Sequence, residues 1–176
     1  MLRWAAAMIE VRRGCRAAVA TIGPLVDRSR ASLNGIPDIA WRDPYLVGFM
    51  LTLITIVARI ESRSLQDRDL SLVQSQAWKA ITSMDADLVG EDALTLSTMH
   101  PREFQHGCYC ATKVAARLCG AAAVASVGYE PWQETPPAES HPFSKDECDV
   151  SSNASIGNWA DAFDAHIATF PSAKLP

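Results

Sequence analysis

A run of fourteen uncharged, mostly apolar residues at positions 45–58 constrains this chain more than any other feature. The run follows Asp43-Pro44, which is a strong helix start. An aspartate accepts hydrogen bonds from the free N–H groups of a first turn, and proline fits the first helical position because its missing N–H is not needed there. The sequence therefore predicts a helix that is apolar on all sides, and such a helix belongs at the centre of a bundle.

The length of this run argues against a membrane span. A helix needs about 20 consecutive apolar residues to cross a bilayer, whereas this run has 14 and is bracketed by Asp43 and Arg59. The N-terminus does not resemble a secretory signal, because Glu10 and two arginines interrupt any apolar stretch. The five cysteines form no regular disulfide framework. We therefore expect a cytoplasmic protein, and membrane association through residues 45–58 is an alternative.

Apolar residues recur at helical spacing on both sides of the central run. Residues 4–25 carry a stripe with alternating steps of four and three, the pattern of a helix that packs against another helix. Gly23-Pro24 predicts a kink or an end in this helix. The arginines of the same segment lie off the stripe, and a basic amphipathic helix can instead lie on an anionic membrane. We favour packing inside the protein because the stripe is strictly periodic. The off-stripe arginines are Arg3, Arg12, Arg13 and Arg16.

A second helix with a distinctive surface is predicted after Pro101. Small residues spaced four apart share one of its faces, which lets two helix backbones approach closely. These helix-packing residues are Gly107, Ala111, Ala115 and Cys119. With the other stripes, they predict an all-α protein whose residues 1–127 form a bundle of about four to five helices.

The character of the chain changes after residue 127. Residues 128–154 contain four prolines and no apolar period, so we expect a flexible acidic linker. Residues 155–176 are predicted to form a short amphipathic docking helix and a tail. One face of that helix is aromatic and aliphatic, and it can bind a partner protein or fold back on its own bundle. The residues of this face are Trp159, Phe163, Ile167 and Phe170.

Charge is distributed unevenly along the chain. Residues 1–30 hold six arginines against two acids, whereas residues 130–176 hold eight acids against two lysines. A basic head and an acidic tail can attract each other or meet different partners. Because no basic stripe follows the first helix, we do not expect a nucleic-acid partner.

The segment after Pro101 also holds the best candidates for chemistry. In a helix, Glu103, His106 and Cys110 lie on one face, where a carboxylate, an imidazole and a thiolate can bind zinc or iron. This ligand set is incomplete for either metal, so we expect no cofactor. Alternatively, His106 can activate Cys110 or Cys108 as a nucleophile, although no orienting Asn or Asp can be placed from the sequence.

The sequence contains no complete catalytic motif, whereas several of its helix faces are suited to association. We therefore expect a non-enzymatic interaction or assembly subunit, whose partner is another protein or a second copy of the chain. The first alternative is a small metal- or thiol-dependent enzyme that uses Glu103, His106 and Cys110. The second is a membrane-associated protein.

Overall fold

The computed structural model describes residues 2–84, 89–129 and 159–170, and it describes side chains from residue 7 in the first range and from residue 93 in the second. Every regular element in these ranges is helical, which confirms the predicted all-α class. The number of helices is higher than the four to five expected. The elements are α1 (Leu2–Ser32), a 3-10 turn (Asp38–Arg42), α2 (Pro44–Glu61), α3 (Asp67–Thr82), α4 (Val89–Met99), α5 (Pro101–Cys119), α6 (Ala121–Ser126) and α7, which has a π-helical turn (Ala160–Asp164) followed by Ala165–Ile167.

Helix α2 lies at the centre of the fold. Its first turn is capped by the carboxylate of Asp43, which accepts a hydrogen bond from the backbone N–H of Leu46 at 3.1 Å. All residues from 45 to 58 are buried, and Leu53 and Ile56 are fully inaccessible. By length and composition α2 is able to cross a membrane, but 78% of its 18 residues lie inside the fold. Its apolar surface is covered by protein, because α1, α3 and α5 all pack against it.

Helix α1 does not end at the Gly23-Pro24 pair. It continues to Ser32 with Pro24 inside it and exposed to solvent. Proline removes one backbone hydrogen bond from a helix interior because it has no N–H group. On the exposed side of α1, water can donate to the backbone carbonyl oxygen that loses this hydrogen bond. The buried side of α1 continues past the proline, with Ile22 and Val26 fully covered. This packing keeps the helix continuous.

The crossing of α2 and α5 brings two helix backbones into direct contact, because Gly48 and Gly107 each meet the opposite backbone. A Cβ atom at Gly107 would overlap the carbonyl oxygen of Tyr45, and one at Gly48 would overlap that of Phe104. Further along the small-residue face, Ala111 and Ala115 are fully buried. Cys119, the last predicted member of this face, is half-buried.

Helix α5 ends at Cys119, because Gly120 interrupts it. This glycine has a φ of 91°, in a region that other residues rarely adopt. The chain then continues as the separate short helix α6, which accounts for part of the higher helix count. Residues 130–154, which make up most of the predicted linker, lie outside the described residues, as do 155–158 and 171–176.

Candidate functional site

Of the three residues predicted to share one face of α5, the structure places two next to each other. The Sγ atom of Cys110 lies 3.8 Å from Nε2 of His106, so the thiol and the imidazole are neighbours. Glu103 is exposed, and Cys110 is only 5% exposed. Within residues 2–84, 89–129 and 159–170, no group of three or more His, Cys, Asp and Glu side chains is arranged to hold a metal ion. The structure therefore supports a thiol–imidazole pair and supplies no third ligand among these residues.

The structure brings two further residues to this pair that the sequence analysis did not select. The ring of Tyr45, at the start of α2, lies 5.4 Å from the ring of His106 and 4.2 Å from that of His166 on α7. The hydroxyl of Tyr45 donates a hydrogen bond to the carbonyl oxygen of Ala162 at 2.8 Å. We call Tyr45, His106 and His166 the aromatic cluster. Its members come from three helices, and no local sequence pattern connects them.

Asp43 holds the aromatic cluster in place while it caps α2. Nε2 of His166 donates to the Asp43 carboxylate at 2.9 Å, and the same oxygen accepts from Leu46. Burial by itself raises the pKa of Asp43, but the hydrogen bonds from His166 and from the Leu46 N–H outweigh it and lower that pKa. Asp43 is therefore a carboxylate at neutral pH, and it ties α7 to the start of α2.

This arrangement predicts a contribution to stability that is lost in acid. Because the pKa of Asp43 is lower in the folded chain than in the unfolded chain, the contribution is complete above about pH 4 and disappears as the pH falls through the lowered value. We expect Asp43→Asn to reduce the free energy of unfolding at pH 7. We also expect the difference between wild type and this variant to shrink as the pH falls below about 4. Urea denaturation at a series of pH values measures both quantities.

The control for this prediction is Asp161→Asn, because Asp161 is an exposed carboxylate on the same helix as His166. This substitution should leave the pH dependence of stability close to that of wild type. A pH-independent difference between wild type and Asp43→Asn would show that the lowered pKa of Asp43 does not contribute to folding.

The other described cysteines are buried or half-buried and pack against neighbouring side chains. Burial raises the pKa of the thiols of Cys108, Cys15 and Cys119, so these thiols are protonated at neutral pH. The thiol of Cys108 donates to the carbonyl oxygen of Gly48 at 3.6 Å, next to the crossing of α2 and α5. This position argues against Cys108 as the nucleophile and leaves Cys110 as the candidate for thiol chemistry.

The predicted partner-binding face of the C-terminal helix is covered by the chain itself. Trp159, Phe163 and Ile167 are at most 4% exposed, whereas Phe170 is half-buried. The indole N–H of Trp159 donates to the hydroxyl of Ser29 at 2.9 Å. Of the two arrangements that the sequence left open, the structure has the one in which this helix folds back on its own bundle. A partner could reach the three buried side chains only if α7 left this position.

A different surface is exposed on the outer side of α1. Ile9 is 63% exposed there, and Arg12, Arg13 and Arg16 also face solvent. These side chains line an open groove of about 750 Å³, together with Ala20 and with Glu61 at the end of α2. We call this feature the α1 groove. Nη2 of Arg13 lies 2.8 Å from Oε1 of Glu61 in an ion pair. Arg12 and Arg16 form no ion pair with any described residue.

Comparisons with family models, with curated proteins and with solved structures return no match to this chain.

Proposed function

We propose that this chain is a non-enzymatic interaction subunit, and that it binds another protein through the α1 groove. The observation that carries the proposal is the exposed surface of Ile9 beside two arginines, Arg12 and Arg16, that form no ion pair with a described residue. Arginine is enriched among the residues that contribute most to binding at protein interfaces, and Ile9 adds exposed apolar area that a partner can bury. A cytoplasmic location, expected from the sequence, is part of this proposal.

The packing of α1 favours a protein partner over a membrane surface. An interfacial helix buries a broad apolar face in the lipid headgroup region. In this chain the apolar face of α1 is already buried against other helices, because Val11, Ala18 and Ile22 lie in the core. Only Ile9 supplies a large exposed aliphatic group among the described side chains of α1. From residue 7 onward, where its side chains are described, the helix therefore offers a membrane little apolar surface.

An enzymatic role has less support from the same geometry. The Cys110 thiol is nearly inaccessible, so a substrate has little access to its sulfur atom. Asp43 is the carboxylate that could orient a catalytic imidazole, but it is hydrogen-bonded to His166. The imidazole next to the Cys110 thiol is that of His106. In a Cys–His nucleophile the orienting group binds the imidazole that neighbours the thiol, whereas Asp43 binds the other imidazole.

Site-specific photo-crosslinking tests the interaction proposal. The photoreactive residue benzoylphenylalanine is introduced at Ile9 or at Ala20, both in the α1 groove, and at Leu72 on α3 as the control position. Leu72 is also exposed, but it lies outside the groove. Irradiation of cells that produce the chain should give one discrete adduct from Ile9 and Ala20, and none from Leu72. An adduct of twice the chain mass identifies a homo-oligomer. Absence of a discrete adduct at both groove positions would contradict the proposal.

A further inference from the structure

We propose that the α1 groove binds an acidic segment of a partner protein, whose carboxylates pair with Arg12 and Arg16 while an apolar side chain packs on Ile9. This inference rests on the proposed function and names the chemistry of the partner.

The first argument is the spacing of the two arginines that have no ion partner among the residues that the structure describes. Arg12 and Arg16 are four residues apart on α1, so their side chains leave the same side of the helix one turn apart. A guanidinium presents a planar fork of donors that matches a carboxylate in two parallel hydrogen bonds. Two carboxylates one turn apart on a partner helix have a spacing that matches this pair.

The second argument is the remaining charge of the groove. The charge of Arg13 is neutralised by Glu61, because Nε of Arg13 donates to Oε1 of Glu61 at 2.9 Å. The groove therefore keeps a net charge of +2 from the other two arginines. Charge complementarity steers association and penalises partners of the same sign. A partner segment with carboxylates is therefore attracted, and a basic segment is rejected.

The third argument separates an acidic protein from other polyanions. The groove has an apolar part, formed by Ile9, Ala17 and Ala20, which a phosphate backbone cannot use. Its described lining contains no aromatic side chain on which a nucleic-acid base can stack. Glu61 also places a negative charge in the wall of the groove. A short segment that alternates acidic and apolar residues uses both parts of this surface.

Fluorescence anisotropy with the full chain tests the inference directly. The probe is a labelled peptide of about twelve residues that repeats Glu-Glu-Leu-Leu, and the reference peptide carries Gln in place of Glu. We expect the acidic peptide to bind about tenfold or more tightly than the reference peptide, with an affinity that falls as salt increases. Equal binding of the two peptides would overturn the inference.

Three variants locate the binding. The double variant Arg12→Glu, Arg16→Glu should lose about tenfold or more in affinity for the acidic peptide, whereas Glu61→Gln should strengthen binding because it removes the carboxylate from the groove. The double variant Arg28→Glu, Arg42→Glu is the matched control, since it changes the net charge by the same amount at two exposed arginines outside the groove. Circular dichroism melting verifies that each variant is folded. An equal loss of affinity in this control would show that only the overall charge of the chain matters and would overturn the inference.

Competition experiments exclude the other occupants. Vesicles with about 30% phosphatidylserine, or duplex DNA, should fail to displace the peptide, and efficient displacement by either would overturn the inference.

The acids of residues 130–149 provide a further test. If the peptide binds only after they are changed to amides, the chain's own acidic segment is the occupant and a partner segment is not. These acids are Glu130, Glu134, Glu139, Asp146, Glu147 and Asp149.

The failure of this inference can be told apart from failure of the proposed function. Discrete crosslinks from Ile9 together with no binding of the acidic peptide would reject the acidic partner and retain an interaction subunit. Absence of both results would reject both proposals.

Discussion

Truncation of Phe163 to alanine is expected to lower the free energy of unfolding by about 3–5 kcal/mol. Phe163 is completely inaccessible, and its ring contacts those of Phe49 and Trp41, each with centroids 6.0 Å apart. The substitution removes the apolar contacts of the ring and leaves a cavity that rigid neighbours fill only in part. Urea denaturation of the full chain, followed by circular dichroism and by tryptophan fluorescence, measures the loss.

The matched control is Phe170→Ala on the same segment. Phe170 is half-buried and its ring contacts His166 edge-on at 5.7 Å, so its truncation should cost less than half as much. A single transition that both probes report at the same urea concentration would show that α7 unfolds together with the bundle. A loss below about 1 kcal/mol in Phe163→Ala would instead indicate a separable helix, as expected for a docking element.

The second large effect is expected at Gly107, where alanine should destabilise the chain by about 2 kcal/mol or more. A Cβ atom there would overlap the Tyr45 carbonyl oxygen and would lie 2.9 Å from the backbone nitrogen of Phe49. Because both neighbours are backbone atoms, the helices must move apart, and overpacking of this kind typically costs about 1–3 kcal/mol or occasionally more. The higher helix propensity of alanine offsets up to about 1 kcal/mol of this loss.

Gly23→Ala serves as the control for Gly107→Ala. A Cβ atom at Gly23 meets no atom within 4 Å, so this variant tests the change in helix propensity without a clash. The expected change in the free energy of unfolding is below about 1 kcal/mol, and the proline that follows Gly23 reduces any gain. Denaturation midpoints of the two variants should therefore differ clearly. Similar midpoints would mean that α2 and α5 adjust to a Cβ atom at their crossing without cost.

Helix α2 shows how much of this fold follows from local sequence. The Asp43-Pro44 start and the fourteen-residue apolar run determine a helix, its first residue and its position in the core, since a helix without a polar face has to be covered on all sides. The small residues of α5 likewise predicted a close helix neighbour. They did not predict the break at Gly120, because the small residues continue in sequence on both sides of it.

The aromatic cluster shows what the sequence alone does not reveal. Asp43 and His166 are 123 positions apart, and each has an ordinary local role, as a helix cap and as a polar residue in a short helix. Their hydrogen bond exists because α7 packs on the start of α2. The pairing of Tyr45 with both imidazoles has the same origin. A pattern within one helix gives its faces, but it does not say which distant residue meets each face.

The sequence by itself determined the helical class, the central position of α2 and the apolar face of the C-terminal helix, because these depend on interactions between residues a few positions apart. Tertiary structure decided that this face is buried against the chain's own bundle, that Cys110 has one neighbouring imidazole, and that the arginines of α1 line an exposed groove. The physical reason is the same in each case. Periodicity shows that a surface requires a partner or faces water, whereas the relative placement of whole helices selects which partner it contacts.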